Sequence, residues 1–365
     1  MTSSLGPRPG TDGRFEATAS RSAMASGAGM LGLPLLVLEP QSGCGLACRM
    51  CEIWRQGRGS RLDGAALAAE ADAWRAAGLS RVLLSGGEPL LHPDLWGLVA
   101  PLTRRGVGIT LLAAGPGLAE QAAPIARHVD DLVISLDGPP AVHDRIRGRR
   151  GAFDLLARGL AALRSLAPGL HIGARCTVQR GNHTQLRATL RTAIELDLDS
   201  LSFLAVDAHS QAFHRSAADP QGSRRRLLPD AAEIDALEHE LKALWAEPES
   251  RCRLVETPAR LQARLVDHFR ALSEGHLPAP GSCNAPWVSA VIEADGQVRP
   301  CFFHPPIGRW PSDGALLQIL ESSRARRFRA ALDPSREPLC RACVCRLNLK
   351  QPSTAAATGP RGGMV

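Results

Sequence analysis

The sequence predicts an α/β protein built on a parallel sheet, with a smaller α+β unit at its C-terminal end. Three observations carry that expectation. Between about residues 33 and 206, six short apolar runs of strand length alternate with longer Ala- and Leu-rich segments of helical period. From residue 281 the alternation gives way to a β-hairpin pattern and then a helix. The cysteines gather into two sets, one just after the first apolar run and the other in the C-terminal unit. Parallel strands joined by helices need right-handed crossovers, and chemistry in such folds collects at the C-terminal ends of the strands.

Taken in order, residues 1–33 are rich in Gly, Ser, Ala and Pro without a period and read as a disordered tail. Leu33 to Glu39 is the first strand, ended by Pro40. A helix over 62–77, stopped by Gly78, leads to a strand over 82–85. There follow a helix over 93–105, a strand over 108–112, a helix over 118–127 and a strand over 132–136. Helices over 152–166 and 185–196 alternate with strands over 171–178 and 200–206. The polar stretch 207–229, with Arg224-Arg225-Arg226, reads as a surface excursion. Two amphipathic helices are expected over 230–246 and 257–273, then a hairpin over 288–298 turning at Asp295-Gly296, then a helix over 315–332. The expected division is a core over 34–250, a linking helix over 251–280, a cysteine-bearing unit over 281–350 and a second disordered tail over 351–365.

A chain of 365 residues with 44% hydrophobic content can bury a full core. Its formal net charge of +7 comes mostly from arginines scattered over many segments, so a solvated surface is expected ahead of a polyanion site, and nucleic acid is not an expected partner. Aromatic residues make up 4% and tyrosine is absent, which leaves no phenol for proton donation and few platforms for stacking bases. No apolar run reaches the roughly 18 residues of a membrane span, so no membrane partner is expected. The mildly apolar stretch 24–38 lacks a small-residue cleavage site and runs straight into the first cysteines, which argues against a secretory signal. Ten cysteines, eight of them in two clusters, fit metal in a cytoplasmic enzyme better than a disulfide framework.

Cys44, Cys48 and Cys51 place three thiols in eight residues at C-x3-C-x2-C spacing, directly after the first strand. Iron–sulfur clusters are held by cysteine thiolates, and three ligands leave one iron open to a small chelating molecule. Two further motifs fall at predicted strand ends: Gly86-Gly87-Glu88-Pro89 after the second strand and Ser135-Leu136-Asp137-Gly138 after the fourth. His143-Asp144-Arg145-Ile146-Arg147-Gly148 comes next.

In this order the motifs resemble the stations of the radical S-adenosylmethionine (radical SAM) enzymes. The resemblance implies a partial (β/α)6 barrel and a 4Fe-4S cluster on Cys44, Cys48 and Cys51. It also implies reductive cleavage of S-adenosylmethionine to a 5′-deoxyadenosyl radical that removes hydrogen from substrate. The electron would come from an external reductant of the flavodoxin or ferredoxin type. Met50 stands where the family usually has an aromatic residue beside the adenine, and a thioether can pack against a ring. Gly86, Gly87, Glu88 and Pro89 would meet the methionine end of the cofactor, Ser135 and Asp137 its ribose, and Arg175 its carboxylate. No residue is identified as the catalytic acid or base. His143 and Asp144 are expected to organise their loop, and Cys176 and Cys252 to lie in the core.

In the C-terminal unit, Cys283 is separated by twelve residues from Gly296 and Gly296 by four from Cys301, and Cys340 and Cys343 follow in C-x2-C. Spacing alone does not separate zinc from iron–sulfur here. The arrangement resembles the SPASM/twitch extension of radical SAM enzymes, in its short form with one auxiliary 4Fe-4S cluster on Cys283, Cys301, Cys340 and Cys343, and with Cys345 as a candidate replacement. The expected reaction is hydrogen abstraction from a small polar metabolite of sugar or aminocyclitol type, ending in a net oxidation assisted by the auxiliary cluster. The alternative within the family is a maturase acting on a ribosomally made peptide. The alternative outside it is a non-catalytic metal-binding or redox-sensing protein.

Overall fold

The computed structural model of the protein describes residues 28–57, 59–213 and 225–349. The six predicted strands are β1 (Leu35–Leu38), β2 (Arg81–Leu84), β3 (Gly108–Ala113), β4 (Asp131–Ser135), β5 (His171–Val178) and β6 (Ser200–Ala205). Each pairs in parallel with the next in sequence. Leu36 lies opposite Val82, Val82 opposite Ile109, Leu111 opposite Leu132 and Leu132 opposite Ile172, all of them fully buried. Burying one such side chain is worth about 1.5–3 kcal/mol. The series does not close on itself, because β6 forms one edge of the sheet. This is the expected partial barrel.

Five of the crossover helices coincide with the expected segments: α1 (Gly64–Ala76), α2 (Leu95–Thr103), α3 (Ala122–His128), α5 (Ala152–Leu166) and α6 (Leu186–Glu195). Asp63 caps α1 by accepting the Ala65 and Ala66 N–H groups, and Leu67, Ala71 and Trp74 turn one stripe of it into the core. A further helix, α4 (Pro140–Arg147), occupies the His143–Arg147 motif, for which no element was expected. Its composition hides it: two prolines stand at its start, three of its eight residues are charged, and its buried face is His143, Ile146 and Arg147. Proline at the first helical turn costs no hydrogen bond, and Gly148 ends the helix with φ of 65°. After β6 comes α7 (Ala231–Ala246), held at its start by a capping box of Asp230 and Glu233. The expected helix over 257–273 is interrupted: α8 (Pro258–Leu261) and α9 (Asp267–Ser273) flank a π-helical turn at Gln262–Val266.

The C-terminal hairpin consists of β7 (Ser289–Ile292) and β8 (Gln297–Arg299), with a short β9 (Gly308–Arg309) beside it. It extends the main sheet, because β7 pairs in parallel with β1 and sets Ala290 opposite Leu36. All four residues of β7 are buried, as befits a strand with neighbours on both sides. The helix expected over 315–332 is two, α10 (Leu316–Leu320) and α11 (Ser323–Ala331), because Ser322 accepts the Ala325 N–H and starts the second afresh. A last turn, α12 (Pro338–Arg341), carries Cys340.

Glu70 on α1 binds this unit to the barrel. Its carboxylate accepts from Trp74 Nε1 at 2.9 Å, Trp310 Nε1 at 2.7 Å and the Leu316 N–H at 2.8 Å. Part of the expected N-terminal tail is also bound, which corrects that expectation for residues 28–33. Leu31 donates its N–H to the Trp287 carbonyl at 2.8 Å, and Arg329 Nε donates to the Ala28 carbonyl at 2.6 Å. The rest of that segment and the tail expected over 351–365 lie outside the described residues. No helix among the described residues is long and apolar enough to cross a membrane.

Candidate active site and metal centres

The first cysteine loop leaves the C-terminal end of β1 and is gripped from two sides. On one side Glu88 donates its N–H to the Gly43 carbonyl at 2.8 Å, and Gln41 Nε2 donates to the Glu88 carbonyl at 2.7 Å. A Cβ at Gly87 would run into the Gly43 carbonyl oxygen, so only glycine lets the two loops approach this closely. On the other side the Ala47 and Arg49 N–H groups, flanking Cys48, donate to the Arg147 and Ile146 carbonyls at 3.1 and 2.9 Å. There Gly148 is tight in the same way, since its Cβ would meet the Ala47 carbonyl.

All three thiols of the loop are unpaired and partly exposed. Each sulfur is met by an N–H donor: Cys44 by the Leu46 amide, Cys48 by Arg147 Nη1 at 3.7 Å, and Cys51 by the Ile53 amide at 3.4 Å. Burial pushes the Cys44 thiol up to about 11 and the Cys51 thiol up to about 12, and it raises Cys48 against the pull of Arg147. Bare, these groups are thiols at neutral pH. The donors around them suit thiolates, which a bound cation supplies by replacing the proton. Among the described residues no three His, Cys, Asp or Glu side chains close on a single ion.

The motif residues divide into loop fasteners and groups facing the site. Glu88 is fully buried; one carboxylate oxygen accepts the Leu90 N–H at 3.4 Å and the other the Ala114 N–H at 2.8 Å, and burial pushes its pKa up to about 8. It therefore ties the end of β2 to the end of β3, with both carboxylate oxygens taken by backbone amides, whereas it was expected at the methionine end of the cofactor. Pro89 is buried at the start of the following turn. Asp137 also turns inward, contrary to the ribose-facing role expected of it. One oxygen accepts the Thr177 N–H at 2.9 Å, and the other lies 2.6 Å from Arg147 Nη2. Met50 is buried within the hydrophobic core. Ser135 and Arg175 sit opposite each other on β4 and β5, both partly exposed. Arg175 Nε is buried without a hydrogen-bond partner among the described residues, an unused donor of the kind a carboxylate ligand satisfies.

The residue that sequence reasoning missed is Arg147. Burial works against its charge, but Asp137 and Cys48 beside it outweigh this and hold its pKa above the ordinary value. It links the cysteine loop to the end of β4. The signal was the His143–Gly148 motif itself, noted without a role for this arginine. Around it, His143 accepts the Asp137 N–H at 3.3 Å and is held neutral, burial taking its pKa down to about 4. Asp144 caps α5 through the Gly151 and Phe153 N–H groups, so both residues organise the loop as expected. Asn182 bridges strand ends by donating to the Asp137 and Thr177 carbonyls at 3.0 and 3.1 Å. Cys176 lies in the core as expected, whereas Cys252 is exposed, because its short helical turn faces solvent.

The second cysteine set draws from three places in the C-terminal unit, and its members stand close together: Cys283 helps to raise the pKa of Cys301, Cys340 and Cys343, and Cys301 helps to raise that of Cys340 and Cys343. Burial is the largest cause in each and takes Cys301 and Cys340 up to about 12. Amides again meet the sulfurs: Ala285 and Leu347 at Cys283, Phe303 and His304 at Cys301, and Cys345 at Cys343, the last at 3.4 Å. Cys345 is exposed and contributes its amide to this group, while its charge is felt by Cys283, Cys301 and Cys343. Between the two sets lies a cluster of rings. Phe213, whose carbonyl accepts the N–H of Glu52 at 2.7 Å, stands 5.1 Å from Phe302 and 6.4 Å from Phe303.

The sequence profile of the radical SAM superfamily matches residues 38–185, and that of an iron–sulfur cluster-binding domain, SPASM, matches residues 283–344. The chain is 32% identical over 266 residues to the PqqA peptide cyclase of Ruegeria pomeroyi, spanning 71% of this chain but only 64% of that relative's length. It is 26% identical over 326 residues to the AdoMet-dependent heme synthase of Methanosarcina barkeri, spanning 82% of this chain and 85% of that protein. Among solved structures, Streptococcus suis SuiB bound to precursor peptide SuiA shares the fold, with a TM-score of 0.61 at 14% identity over 86% of this chain and 72% of that one. The two profiles imply a 4Fe-4S cluster with S-adenosylmethionine in the barrel and an auxiliary cluster beyond it, and the thiols with their N–H donors fit both. Each profile covers one of the two cysteine sets, with the first set at the C-terminal end of a parallel strand, and the chain accordingly belongs to the radical SAM superfamily and carries a SPASM-type iron–sulfur cluster-binding domain.

Proposed function

We propose that the protein is a radical SAM maturase that modifies a peptide. The observation that carries this is the 32% identity to a peptide cyclase across 71% of the chain. It favours the peptide alternative over the sugar- or aminocyclitol-like metabolite expected first. A tetrapyrrole substrate is the second reading, supported by the match that spans 85% of a heme synthase.

In this reading Cys44, Cys48 and Cys51 hold the cluster that binds S-adenosylmethionine, and Cys283, Cys301, Cys340 and Cys343 hold the auxiliary one. When bound, the first cluster and its cofactor supply one-electron cleavage of a carbon–sulfur bond, and with it hydrogen abstraction from substrate. The chain's own residues position and insulate. Arg147 offsets negative charge beside Cys48 from a largely buried position, where such an interaction is stronger than at the surface. Glu88 and Gly87 hold the loop after β2 against the cysteine loop, which leaves the backbone of Gly86 and Gly87 to the amino-acid end of the cofactor. Ser135 and Arg175 offer a hydroxyl and an unused guanidinium donor from adjacent strands, the second suited to the cofactor's carboxylate. The auxiliary site, with four thiols for four irons, suits electron transfer during a net oxidation, and the electron for cleavage would come from a flavodoxin- or ferredoxin-type donor.

The test is anaerobic reconstitution followed by incubation with S-adenosylmethionine and dithionite, alone, with each short peptide encoded beside the gene, and with coproporphyrin. Release of 5′-deoxyadenosine with a mass change in a peptide supports the reading. A changed tetrapyrrole with unchanged peptides supports the second. Cofactor cleavage that survives replacement of Cys44, Cys48 and Cys51 by alanine would overturn the assignment of the first site.

A further inference from the structure

Three of the four thiols assigned to the auxiliary site are met by backbone amides, but Cys340 is met by a side chain. His304 Nε2 lies 3.3 Å from Cys340 Sγ. The imidazole is well placed for a fixed role: it is 5% exposed, it packs edge-on against Phe328 with ring centroids 4.9 Å apart, and its own carbonyl accepts Arg299 Nη1 at 2.8 Å. Phe328 on α11 thus packs against the ring and Arg299 on β8 holds the backbone that carries it, while the His304 amide serves the neighbouring Cys301. A histidine beside a sulfur can either accept from a thiol or donate to a thiolate. The pattern at the other three sulfurs, donors throughout, selects the second.

We infer that His304 is a positioning residue of the auxiliary site, donating its Nε2–H to Cys340 and raising the reduction potential of the group that Cys340 holds. The physical reason is electrostatic. Hydrogen bonds to cluster sulfurs set potential, and the positive end of an N–H dipole favours the more negatively charged reduced state. Outer partners of ligating groups tune a metal site in the same way. His304 lies inside the segment between Cys301 and Cys340, where cysteine spacing gives no reason to single it out. The inference rests on the proposed assignment of Cys340 as a ligand, and the experiment separates the two.

The full chain is reconstituted anaerobically as wild type, His304→Leu, His304→Gln and Cys340→Ala, without S-adenosylmethionine. Iron is counted, and the midpoint potentials are read by electron paramagnetic resonance during redox titration. The expected result is about eight irons per chain in the first three proteins. His304→Leu should move the auxiliary midpoint to a more negative value, His304→Gln, which keeps an N–H, should restore part of the shift, and the first site's midpoint should not move. An unmoved auxiliary midpoint in His304→Leu with its iron intact overturns the inference, as does loss of the auxiliary iron in His304→Leu, which would make the ring a ligand. Full iron retention in Cys340→Ala overturns instead the ligand assignment beneath it.

Discussion

Arg147 and Asp137 form an ion pair of 2.6 Å with both side chains withdrawn from solvent, and the same guanidinium reaches Cys48. Removing one partner of a buried pair leaves the other charge uncompensated, which costs about 3–5 kcal/mol. Arg147→Met should therefore destabilise the bare protein by that order, read as a lowered urea midpoint. Asp137→Asn keeps an oxygen for the Thr177 N–H, so the double variant Arg147→Met/Asp137→Asn should recover much of the loss. Additive losses in the double variant would show that the two residues do not act as a pair.

A second expectation concerns the approach of two loops. Gly87→Ala sets a methyl group on the Gly43 carbonyl, and the cysteine loop must move to admit it. Iron at the first site should fall several-fold while the auxiliary site fills, so that the total drops from about eight towards about four per chain. Gly64→Ala, whose added carbon would meet only Leu98 at an ordinary 3.7 Å, is the control and should keep full iron. Full loading of Gly87→Ala would mean that the loop is not fixed where it is seen.

These two cases mark where the sequence was legible. Strand runs such as Arg81–Leu84 and the spacing of Cys44, Cys48 and Cys51 are local patterns, and both stand where expected. Gly87 was expected at the methionine end of the cofactor, and its close approach to the Gly43 carbonyl could not be read from the motif. What could not be read is contact between distant segments. Arg147 is 99 residues from Cys48 in sequence, and its helix carries the charge of a surface segment. Nothing local to Ser289–Ile292 says that it adds to β1 as well as forming a hairpin. Asp137 and Glu88 were placed at the right strand ends but turned the wrong way, because a carboxylate at a loop serves a ligand or the backbone equally well in one dimension.

Glu70 gathers two indole N–H groups and one amide across the seam between α1 and the C-terminal unit. Glu70→Leu leaves those donors without an acceptor, at about 1–3 kcal/mol for each that water cannot reach. Proteolysis should then cut the C-terminal unit at lower protease concentration, while Glu70→Gln, with one oxygen retained, should fall between. Equal resistance in all three proteins would show that the seam is held by apolar packing such as Trp74 against Trp310, whose rings lie 5.8 Å apart.

The opposite rim of the sheet, away from the cysteines, should set part of the pH dependence of stability. Asp131 at the start of β4 meets Arg81 at 3.0 Å and His171 at 3.4 Å. The Asp131 carboxylate raises the His171 pKa above its ordinary 6.5, and His171 holds Asp131 below its ordinary 3.8. A raised histidine contributes stability that is complete below 6.5 and lost as pH rises through the folded value. A lowered carboxylate contributes stability that is present above 3.8 and lost as pH falls through its folded value. The pair is therefore strongest between those limits and fades towards alkaline pH. Both groups are partly exposed, so solvent screening keeps the effect to about 0.2–1 kcal/mol. His171→Gln should lower the melting temperature more at pH 5.5 than at pH 8.5, by scanning calorimetry of the bare protein. An equal loss at both pH values would mean that the histidine acts through packing rather than charge.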